Sequence, residues 1–342
     1  MSSFLAFRYI VDNDKQFADG LRHLCCPRVP LAEKQSVRSA EEIDTAIRNT
    51  FRLISHEKKA LLLSGGVDSS ILASYMPEGS DAYTFRFMGG SFQSDELHRA
   101  ELIADRNRLR LHYVDIDWTT VDRHLPAVMR NRQAPVHSIE PQIYQAALQA
   151  KADGVTMVVI GDEADYAFGG MDGLYAEDWG FDTFVQRYIY VNPAEVLVNP
   201  VSINDFFEPY RLGPKSLNWI KLMDELMVDE SRLSYLNAFT AARISYIDPY
   251  ATLRMSAPLN IDKLRQGQSK YLLRELYTMK YPDLSLPEKL PMPRPVDAYF
   301  ADWQGPARPE FRKNIDISKY TGNQRWLIWC LERFLNILDD IH

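Results

Sequence analysis

The amino-acid sequence predicts a doubly wound α/β fold, in which helices cover both faces of a parallel sheet, followed by a mostly helical C-terminal part. Between residues 57 and 170, short apolar runs alternate with segments of helical periodicity, which is the pattern of βαβ units. Beyond residue 215 the apolar residues follow a helical period. The length of 342 residues accommodates both parts, since domains typically hold about 100 to 200 residues.

The N-terminal part predicts one strand and one helix. Residues 4–10 (FLAFRYI) form an apolar run of strand length. In residues 39–56, Ile43, Ala46 and Ile47 recur at spacings of three and four, which places them on one helix face.

The central part predicts the parallel sheet. Residues 59–63 (KALLL) form a continuous apolar run, as expected for a strand that is buried on both faces. Glycines and a helical pattern follow it directly, and the same succession of strand and helix recurs along the chain. The other predicted strands are 82–87, 111–116 and 156–160, and the predicted helices are 69–75, 95–107, a segment ending at 128, and 141–152.

The C-terminal part predicts helices and no further strand. The predicted helices are 219–227, 233–244, 271–279 and 326–341, and the aromatic stripe of the last one is interpreted as core. The prolines at 282, 287, 291, 293 and 295 exclude a regular helix, because proline lacks the amide donor. We interpret that stretch as an ordered loop or lid, with a plain linker as the alternative.

The composition excludes several classes of protein. There are 39 basic and 46 acidic side chains, which gives a formal net charge of −7 and argues against a nucleic-acid partner. No apolar stretch is long enough to span a membrane, and the N-terminus lacks the pattern of a secretion signal. The three cysteines have no metal-binding or disulfide spacing. A cytoplasmic location is expected.

Residues 61–70 (LLLSGGVDSS) predict a phosphate-binding turn. Small residues stand between a buried strand and a helix N-terminus, where free backbone N–H groups and the helix dipole attract anions. No lysine follows the second glycine, so this is not the GxxxxGK[ST] loop. The order of serine, two glycines, aspartate and serine resembles the pyrophosphate-binding loop of the ATP pyrophosphatases. A glycine turn that only joins strand to helix is the alternative.

Residues 161–170 (GDEADYAFGG) form a second candidate cluster at the carboxyl end of a predicted strand. Ligands of open α/β sheets bind at that edge. Asp162, Glu163 and Asp165 are costly to hold together without a cation or a shared proton. A solvated acidic turn is the alternative.

These clusters occur together with four further segments. They are residues 84–87 (TFRF) followed by 94–96 (SDE), 133–148 (QAPVHSIEPQIYQAAL), 243–248 (RISYID) and 269–274 (SKYLLR). In this order the sequence resembles the synthetase domain of the asparagine synthetases and their β-lactam-forming relatives, over roughly residues 40 to 340. The resemblance implies a sheet of the PP-loop ATP pyrophosphatase type. It divides the chain into an N-terminal strand/helix extension (1–50), a PP-loop ATP-binding α/β core (51–200) and a helical C-terminal region (201–342).

The resemblance also implies roles for individual residues. Lys270 would neutralise the phosphates during adenylation, with a surface lysine as the alternative. Asp162 would help to deprotonate the incoming amine, with a structural cap as the alternative. Asp68 and Asp165 would hold Mg²⁺. The residues implied to bind ATP are Leu63, Ser64, Gly65, Gly66, Asp68, Ser69, Phe87 and Gly161.

The sequence departs from the family pattern at several positions. Tyr166 replaces an acidic residue, Ser245 a proline and Ser269 a glycine, which leaves the substrate open. The β-lactam-forming relatives have tyrosine where this chain has Asp162, which argues against ring closure. The chain begins Met-Ser-Ser without the cysteine nucleophile of a glutaminase domain, so glutamine hydrolysis within this chain is not expected.

The function that the resemblance implies is an ATP-dependent amide-forming ligase. Such an enzyme adenylates a carboxylate, releases pyrophosphate and transfers the acyl group to ammonia or an amine. The expected cofactors are ATP and Mg²⁺, and a separate glutaminase or a homo-oligomer stays open. The alternatives are another chemistry of the PP-loop ATP pyrophosphatases, such as thiolation, and a nucleotide-binding regulator without catalytic activity.

Overall fold

The computed structural model describes residues 1–27, 29–88, 94–213, 216–288, 294 and 296–340. Within these residues the strands are β1 (Gln35–Val37), β2 (Lys59–Leu62), β3 (Asp81–Phe87), β4 (Arg110–Ile116), β5 (Met157–Val159), β6 (Arg211–Gly213), β7 (Ser216–Leu217), β8 (Ser245–Ile247) and β9 (Leu253–Met255). The longer helices are α2 (Ala40–Leu53), α3 (Val67–Ala73), α4 (Ser94–Arg106), α5 (Trp118–Arg132), α6 (Glu140–Ala152), α9 (Phe181–Tyr188), α12 (Val228–Ala242), α14 (Tyr271–Lys280) and α16 (Gly322–Asp339).

The shorter helices join these elements. They are α1 (Ser2–Phe7), α7 (Ala164–Ala167), α8 (Asp172–Tyr175), α10 (Pro193–Val196), α11 (Trp219–Leu222), α13 (Ile261–Arg265) and α15 (Val296–Tyr299). Single 3-10 turns cover Leu31–Glu33, Asn204–Phe206, Glu208–Tyr210 and Ile317–Lys319, and a π-helical turn covers Met223–Met227.

A five-stranded parallel sheet forms the centre of the fold, in the order β4-β3-β2-β5-β8. Alternate residues of its strands enter two separate apolar layers, with Ala60 and Val158 in one and Leu61 and Val159 in the other. Helices α5, α6, α12 and α16 supply the first layer, and α2, α3, α4 and α14 supply the second. The predicted doubly wound α/β fold with a helical C-terminal part is therefore confirmed.

The predicted strand over residues 4–10 is wrong. The segment forms the short helix α1, whose residues Phe4, Leu5, Ala6 and Phe7 are all fully buried. A short apolar run that is buried on every side has the same composition in a helix as in a strand, so its periodicity does not distinguish them.

The prediction of no strand beyond residue 215 is also wrong. β8 pairs with β5 and completes the central sheet, and β9 pairs in parallel with β1 of the N-terminal part. Each of these strands is only three residues long, so it offers too few positions for an alternating pattern to stand out. The sheet thus includes a strand from the region after residue 201, and the boundaries at 51 and 201 stay a prediction.

The C-terminal helices follow the predictions closely. Residues 219–242 form one continuous helical stretch through a π turn, where separate helices over 219–227 and 233–244 are predicted. Trp326, Leu327 and Phe334 of α16 are buried in the first apolar layer, which confirms the interpretation of the aromatic stripe as core. In the proline-rich stretch, residues 281–288 form no regular element, and residues 289–293 and 295 lie outside the described residues. No helix among the described residues is long and apolar enough to cross a membrane.

Candidate active site

The two glycine-containing turns lie side by side because they follow neighbouring strands. β2 and β5 are parallel neighbours, so their carboxyl ends meet at one edge of the sheet. A cavity of about 280 Å³ lies there. We call residues 63–69 the phosphate loop and residues 161–165 the acidic loop. The predicted site residues that line the cavity are Leu63, Ser64, Gly66, Asp68, Ser69, Gly161, Asp162, Asp165 and Lys270.

Gly65 determines the shape of the phosphate loop. Its φ of +75° lies in the left-handed region, and a Cβ atom there would stand 2.6 Å from the backbone nitrogen of Ala100 in α4. The hydroxyls of Ser64 and Ser69 lie 3.1 Å apart, and the N–H of Gly66 donates to Ser64 Oγ at 3.3 Å. Gly65 itself lies behind the cavity lining, where it permits the close approach of α4.

Lys270 joins the two loops. Its Nζ lies 2.5 Å from Asp68 Oδ2 and 2.8 Å from Asp165 Oδ1. Burial lowers the pKa of Lys270, but the nearby carboxylates of Asp68 and Asp165 outweigh burial and raise it above its ordinary value. The side chain is therefore a charged ammonium held between two carboxylates. With 7% of the residue exposed, the alternative of a surface lysine is excluded.

Local backbone geometry brings together Lys270, Asp68 and Asp165, which we call the triad. Lys270 precedes α14 with a φ of 51°, an uncommon left-handed conformation for a non-glycine residue. Gly170, at the end of the GDEADYAFGG segment, leaves the space that the triad occupies. A Cβ atom on Gly170 would stand 1.9 Å from Asp165 Oδ1 and 2.3 Å from Lys270 Cε.

Asp162 lines the cavity next to this triad. Ser231 of α12 donates its hydroxyl to Asp162 Oδ1 at 2.6 Å. The other oxygen, Oδ2, is buried and has no hydrogen-bond partner among the described residues. Burial, followed by the neighbouring carboxylates of Asp248, Glu163 and Asp165, raises the pKa of Asp162 well above its usual range. Asp162 is thus a more basic carboxylate than an exposed aspartate.

Buried groups behind the acidic loop fix its backbone. Asp248 Oδ2 accepts the N–H groups of Asp162 and Glu163 at 2.9 and 2.8 Å. Glu163 points away from the cavity and pairs with the guanidinium of Arg232 at 2.5 Å. Of the acidic residues in the loop, Asp162 and Asp165 therefore face the cavity, while Glu163 anchors the loop to α12.

Phe87 does not lie where the resemblance implies. It is 5% exposed in the first apolar layer, together with Val114 and Ile116 of β4, and does not line the cavity. Phe85, two residues earlier on the same face of β3, does line it. The ring of Phe87 is taken up by this apolar packing, whereas Phe85 is only partly buried and stays available to the cavity.

The cavity can neutralise and position a polyanion. Its described lining holds the cations Arg99, Lys270 and Arg274, which face the acids Asp68, Glu96, Asp162, Asp165 and Glu288. Loop hydroxyls, an ammonium between two carboxylates and further arginines suit phosphates that arrive with a metal ion.

Comparison of the sequence with models of known protein families identifies the family of this chain. A sequence model of asparagine synthase matches residues 40–248, which include both the phosphate loop and the acidic loop. The chain belongs to the asparagine synthase family. Lys270 lies beyond the matched residues, although its Nζ contacts both loops.

One relative in the family comes from Methanocaldococcus jannaschii and carries the provisional name asparagine synthetase (glutamine-hydrolyzing) 1. It is 26% identical over 168 residues, which cover 47% of this chain. The aligned part spans only 30% of that relative's length.

Solved structures of three proteins are similar to this asparagine synthase family member at low scores. The U34-tRNA thiolase NcsA from Methanococcus maripaludis has a TM-score of 0.30 and 11% identity, with 93% of this chain and 89% of that chain covered. NMN synthetase from Francisella tularensis has a TM-score of 0.27 and 12% identity, with 74% of this chain and 100% of that chain covered. NH3-dependent NAD synthetase from Campylobacter jejuni has a TM-score of 0.25 and 15% identity, with 74% of this chain and 97% of that chain covered.

Several residues of this family member's site were missed by sequence reasoning. Gly170 ends the GDEADYAFGG segment, but nothing in the sequence indicates that its Cα lies against Lys270. Ser231 and Arg232 lie on a predominantly buried helix, so their polar contacts to the acidic loop carry no periodic signal. Asp248 ends the RISYID segment. Its position directly after a short strand is the signal that could have placed it beside the acidic loop.

Proposed function

We propose that this chain is an ATP-dependent amide-forming ligase that adenylates a carboxylate and transfers the acyl group to ammonia or an amine. The observation that supports this most directly is the contact of Lys270 with Asp68 and Asp165 at the phosphate loop. In the first step a carboxylate oxygen attacks the α-phosphorus of ATP, and the bond to the β-phosphate breaks. In the second step the amine attacks the acyl carbon, and AMP leaves.

The residues of the phosphate loop would act in the first step. Ser64, Gly66 and Ser69 are placed to cradle the phosphates with hydroxyl and N–H groups. Lys270 is placed to neutralise the charge that develops on the departing pyrophosphate, which is the main contribution of a protein to transfer at phosphorus.

Asp68 and Asp165 would hold Mg²⁺. Both carboxylates already approach one ammonium within 2.5 and 2.8 Å, so they can share a cation. Among the described residues no group of three or more His, Cys, Asp or Glu side chains forms a metal site. Substrate phosphates would therefore complete the coordination, as is usual for this ion. When bound, Mg²⁺ would supply charge neutralisation on the phosphate oxygens.

Asp162 would act in the second step. Its partner-free Oδ2 and its raised pKa suit a group that takes a proton from the attacking amine. Ammonia would arrive free or from a separate glutaminase, and a second copy of the chain is a further candidate partner.

A screen of carboxylic acids for ATP–pyrophosphate exchange tests the proposed reaction. Purified protein with Mg²⁺, ATP and labelled pyrophosphate should form labelled ATP only when the correct acid is present. A chain that binds ATP but exchanges no pyrophosphate with any acid would instead be the nucleotide-binding regulator. Thiolation has less support, because none of Cys25, Cys26 and Cys330 lines the cavity.

The Gly170→Ala substitution should lower turnover by about 10²-fold, the scale expected when reacting groups are displaced by about 1 Å. The added methyl group cannot coexist with the present positions of Asp165 and Lys270. The matched control is Gly180→Ala, because a Cβ atom there meets nothing closer than Thr183 Oγ1 at 3.8 Å. Equal pyrophosphate release by both variants would contradict the tight packing of the triad.

ATP affinity should depend on the ionisation of Glu96. Burial raises the pKa of this cavity-lining carboxyl to about 7, and Arg99 opposes the shift. Below pH 7 Glu96 is neutral, and above it the carboxylate repels the phosphates, so Kd for ATP should increase as the pH rises from 6 to 8. Titration calorimetry of the wild type and of Glu96→Gln isolates this effect, because ATP's own titration is common to both. The same pH slope in both proteins would exclude Glu96 as its source.

A further inference from the structure

A buried group of charged side chains lies outside the ATP cavity, at the first turn of α12. It consists of Arg8, His137, Glu230 and Arg294, and we call it the double-arginine cluster. Arg8 Nη1 lies 2.8 Å and Arg294 Nη1 3.2 Å from the same atom, His137 Nε2. Glu230 Oε1 lies 3.0 Å from Arg8 Nε and 3.3 Å from His137 Nε2.

The hydrogen atoms of this cluster are in conflict. The backbone N–H of Ile139 donates to His137 Nδ1 at 3.1 Å, so Nδ1 is an acceptor and the ring proton lies on Nε2. Burial, followed by the charges of Arg8 and Arg294, lowers the pKa of His137 well below its usual value, so the ring is neutral. Three N–H groups, one each from Arg8, His137 and Arg294, therefore converge on one point.

The acceptors of the cluster do not match these donors. Glu230 pairs with Arg8, and the charge of this one carboxylate also acts on Arg294. The nearby Glu140 pairs with Arg132 at 2.6 Å and also accepts from Asn237, so its oxygens are engaged elsewhere. Arg294 Nη1 also donates to Ser138 Oγ, at the long distance of 3.5 Å. The cluster carries a surplus positive charge in a buried place, which is costly without a counterion.

We propose that the double-arginine cluster binds an oxyanion, either a carboxylate or a phosphate group. The anion would accept N–H groups from Arg8 Nη1, Arg294 Nη1 and His137 Nε2, the three donors that now face one another. Arg294 is only partly buried, so it is the member of the cluster through which an anion could approach. Planar guanidinium groups are the usual partners of such anions.

The position of the cluster links it to the acidic loop. Glu230 immediately precedes Ser231, whose hydroxyl donates to Asp162. Arg8 and Arg294 both lie outside the residues matched by the family, 40–248. The inference rests on these contacts alone and does not depend on the proposed ligase activity.

Thermal unfolding in low-salt buffer tests the site directly. Inorganic phosphate and acetate are the probes, each compared with sodium chloride at the same ionic strength. At least one probe should raise the Tm of the wild type by a few degrees in a saturable manner, because a ligand of the folded state stabilises it. The probe with the lower half-saturation concentration identifies the source as inorganic phosphate or a carboxylate.

Two matched variants decide whether the effect arises in this cluster. Arg294→Gln should lose the rise in Tm, whereas Arg274→Gln, which changes an arginine of the ATP cavity, should keep it. Without added anion, Arg294→Gln should be no less stable than the wild type, since it removes surplus charge. The proposal is overturned if no probe exceeds chloride, if Arg274→Gln alone loses the effect, or if Arg294→Gln unfolds earlier in the anion-free buffer.

Discussion

Asp68→Asn and Asp165→Asn are each expected to abolish pyrophosphate release. Both carboxylates lie within 2.8 Å of the Lys270 ammonium, and under the proposed function they would share Mg²⁺ with the substrate phosphates. Loss of one carboxylate ligand should cost several kcal/mol of transition-state stabilisation, about 10³-fold in rate. The measurement is pyrophosphate release with the acid identified by the exchange screen.

The fold should survive either substitution, because Lys270 keeps one carboxylate partner in each single variant. Tm values without ligand check this, and Asp115→Asn, which changes an exposed carboxylate on β4, is the matched control. Near-normal pyrophosphate release from Asp68→Asn or Asp165→Asn would refute the metal assignment. Normal release from Asp115→Asn is expected in the same experiment.

Lys270→Ala is expected to reduce turnover by about 10² to 10³, far more than it weakens ATP binding. The ammonium gains importance as negative charge builds up on the departing pyrophosphate, so its loss acts on kcat more than on Kd. Arginine should restore little activity, because Gly170 leaves no room beside Lys270 Cε for a broad planar group. Pre-steady-state kinetics and ATP-binding measurements on the wild type, Lys270→Ala and Lys270→Arg separate the effect on turnover from the effect on ATP affinity.

A second readout of Lys270→Ala does not involve activity. Without the ammonium, Asp68 and Asp165 face each other as like charges, so Mg²⁺ alone should raise the Tm of Lys270→Ala more than that of the wild type. If turnover stays within a few fold and Mg²⁺ stabilises both proteins equally, Lys270 is a structural counterion and has no part in the chemistry.

Local sequence patterns predicted those parts of the fold whose signal is contained in one segment. β2, β3 and β4 are continuous apolar or alternating runs of four to seven residues, and the glycine turn after β2 follows from residue types alone. β8 was missed because its three residues become a strand only through pairing with β5, far away along the chain. α1 was misassigned because its four consecutive apolar residues, 4–7, are all buried.

The residues of the site likewise differ in whether a local sequence pattern indicates their position. The phosphate loop and the acidic loop were each predicted to follow a strand of the sheet, and their adjacency comes from the pairing of β2 with β5. The contact of Lys270 with Asp68 has no local signal, and only the family resemblance indicated a role for that lysine. The double-arginine cluster joins Arg8, His137 and Arg294, which no periodicity connects. Contacts of this kind depend on tertiary packing, which the sequence pattern does not encode locally.

The distance along the chain between Asp68 and Lys270 sets a time scale for synthesis. The two residues are 202 positions apart. Ribosomes add about 5 to 20 residues per second, so about 10 to 40 s separate the synthesis of the aspartate from that of the lysine. For part of that interval, the 88 positions between Val159 and its partner Ile247, the edge of β5 has no neighbour. A nascent chain would therefore gain the Lys270 contact well after its phosphate loop is made, and its open sheet edge is the surface on which a chaperone would act meanwhile.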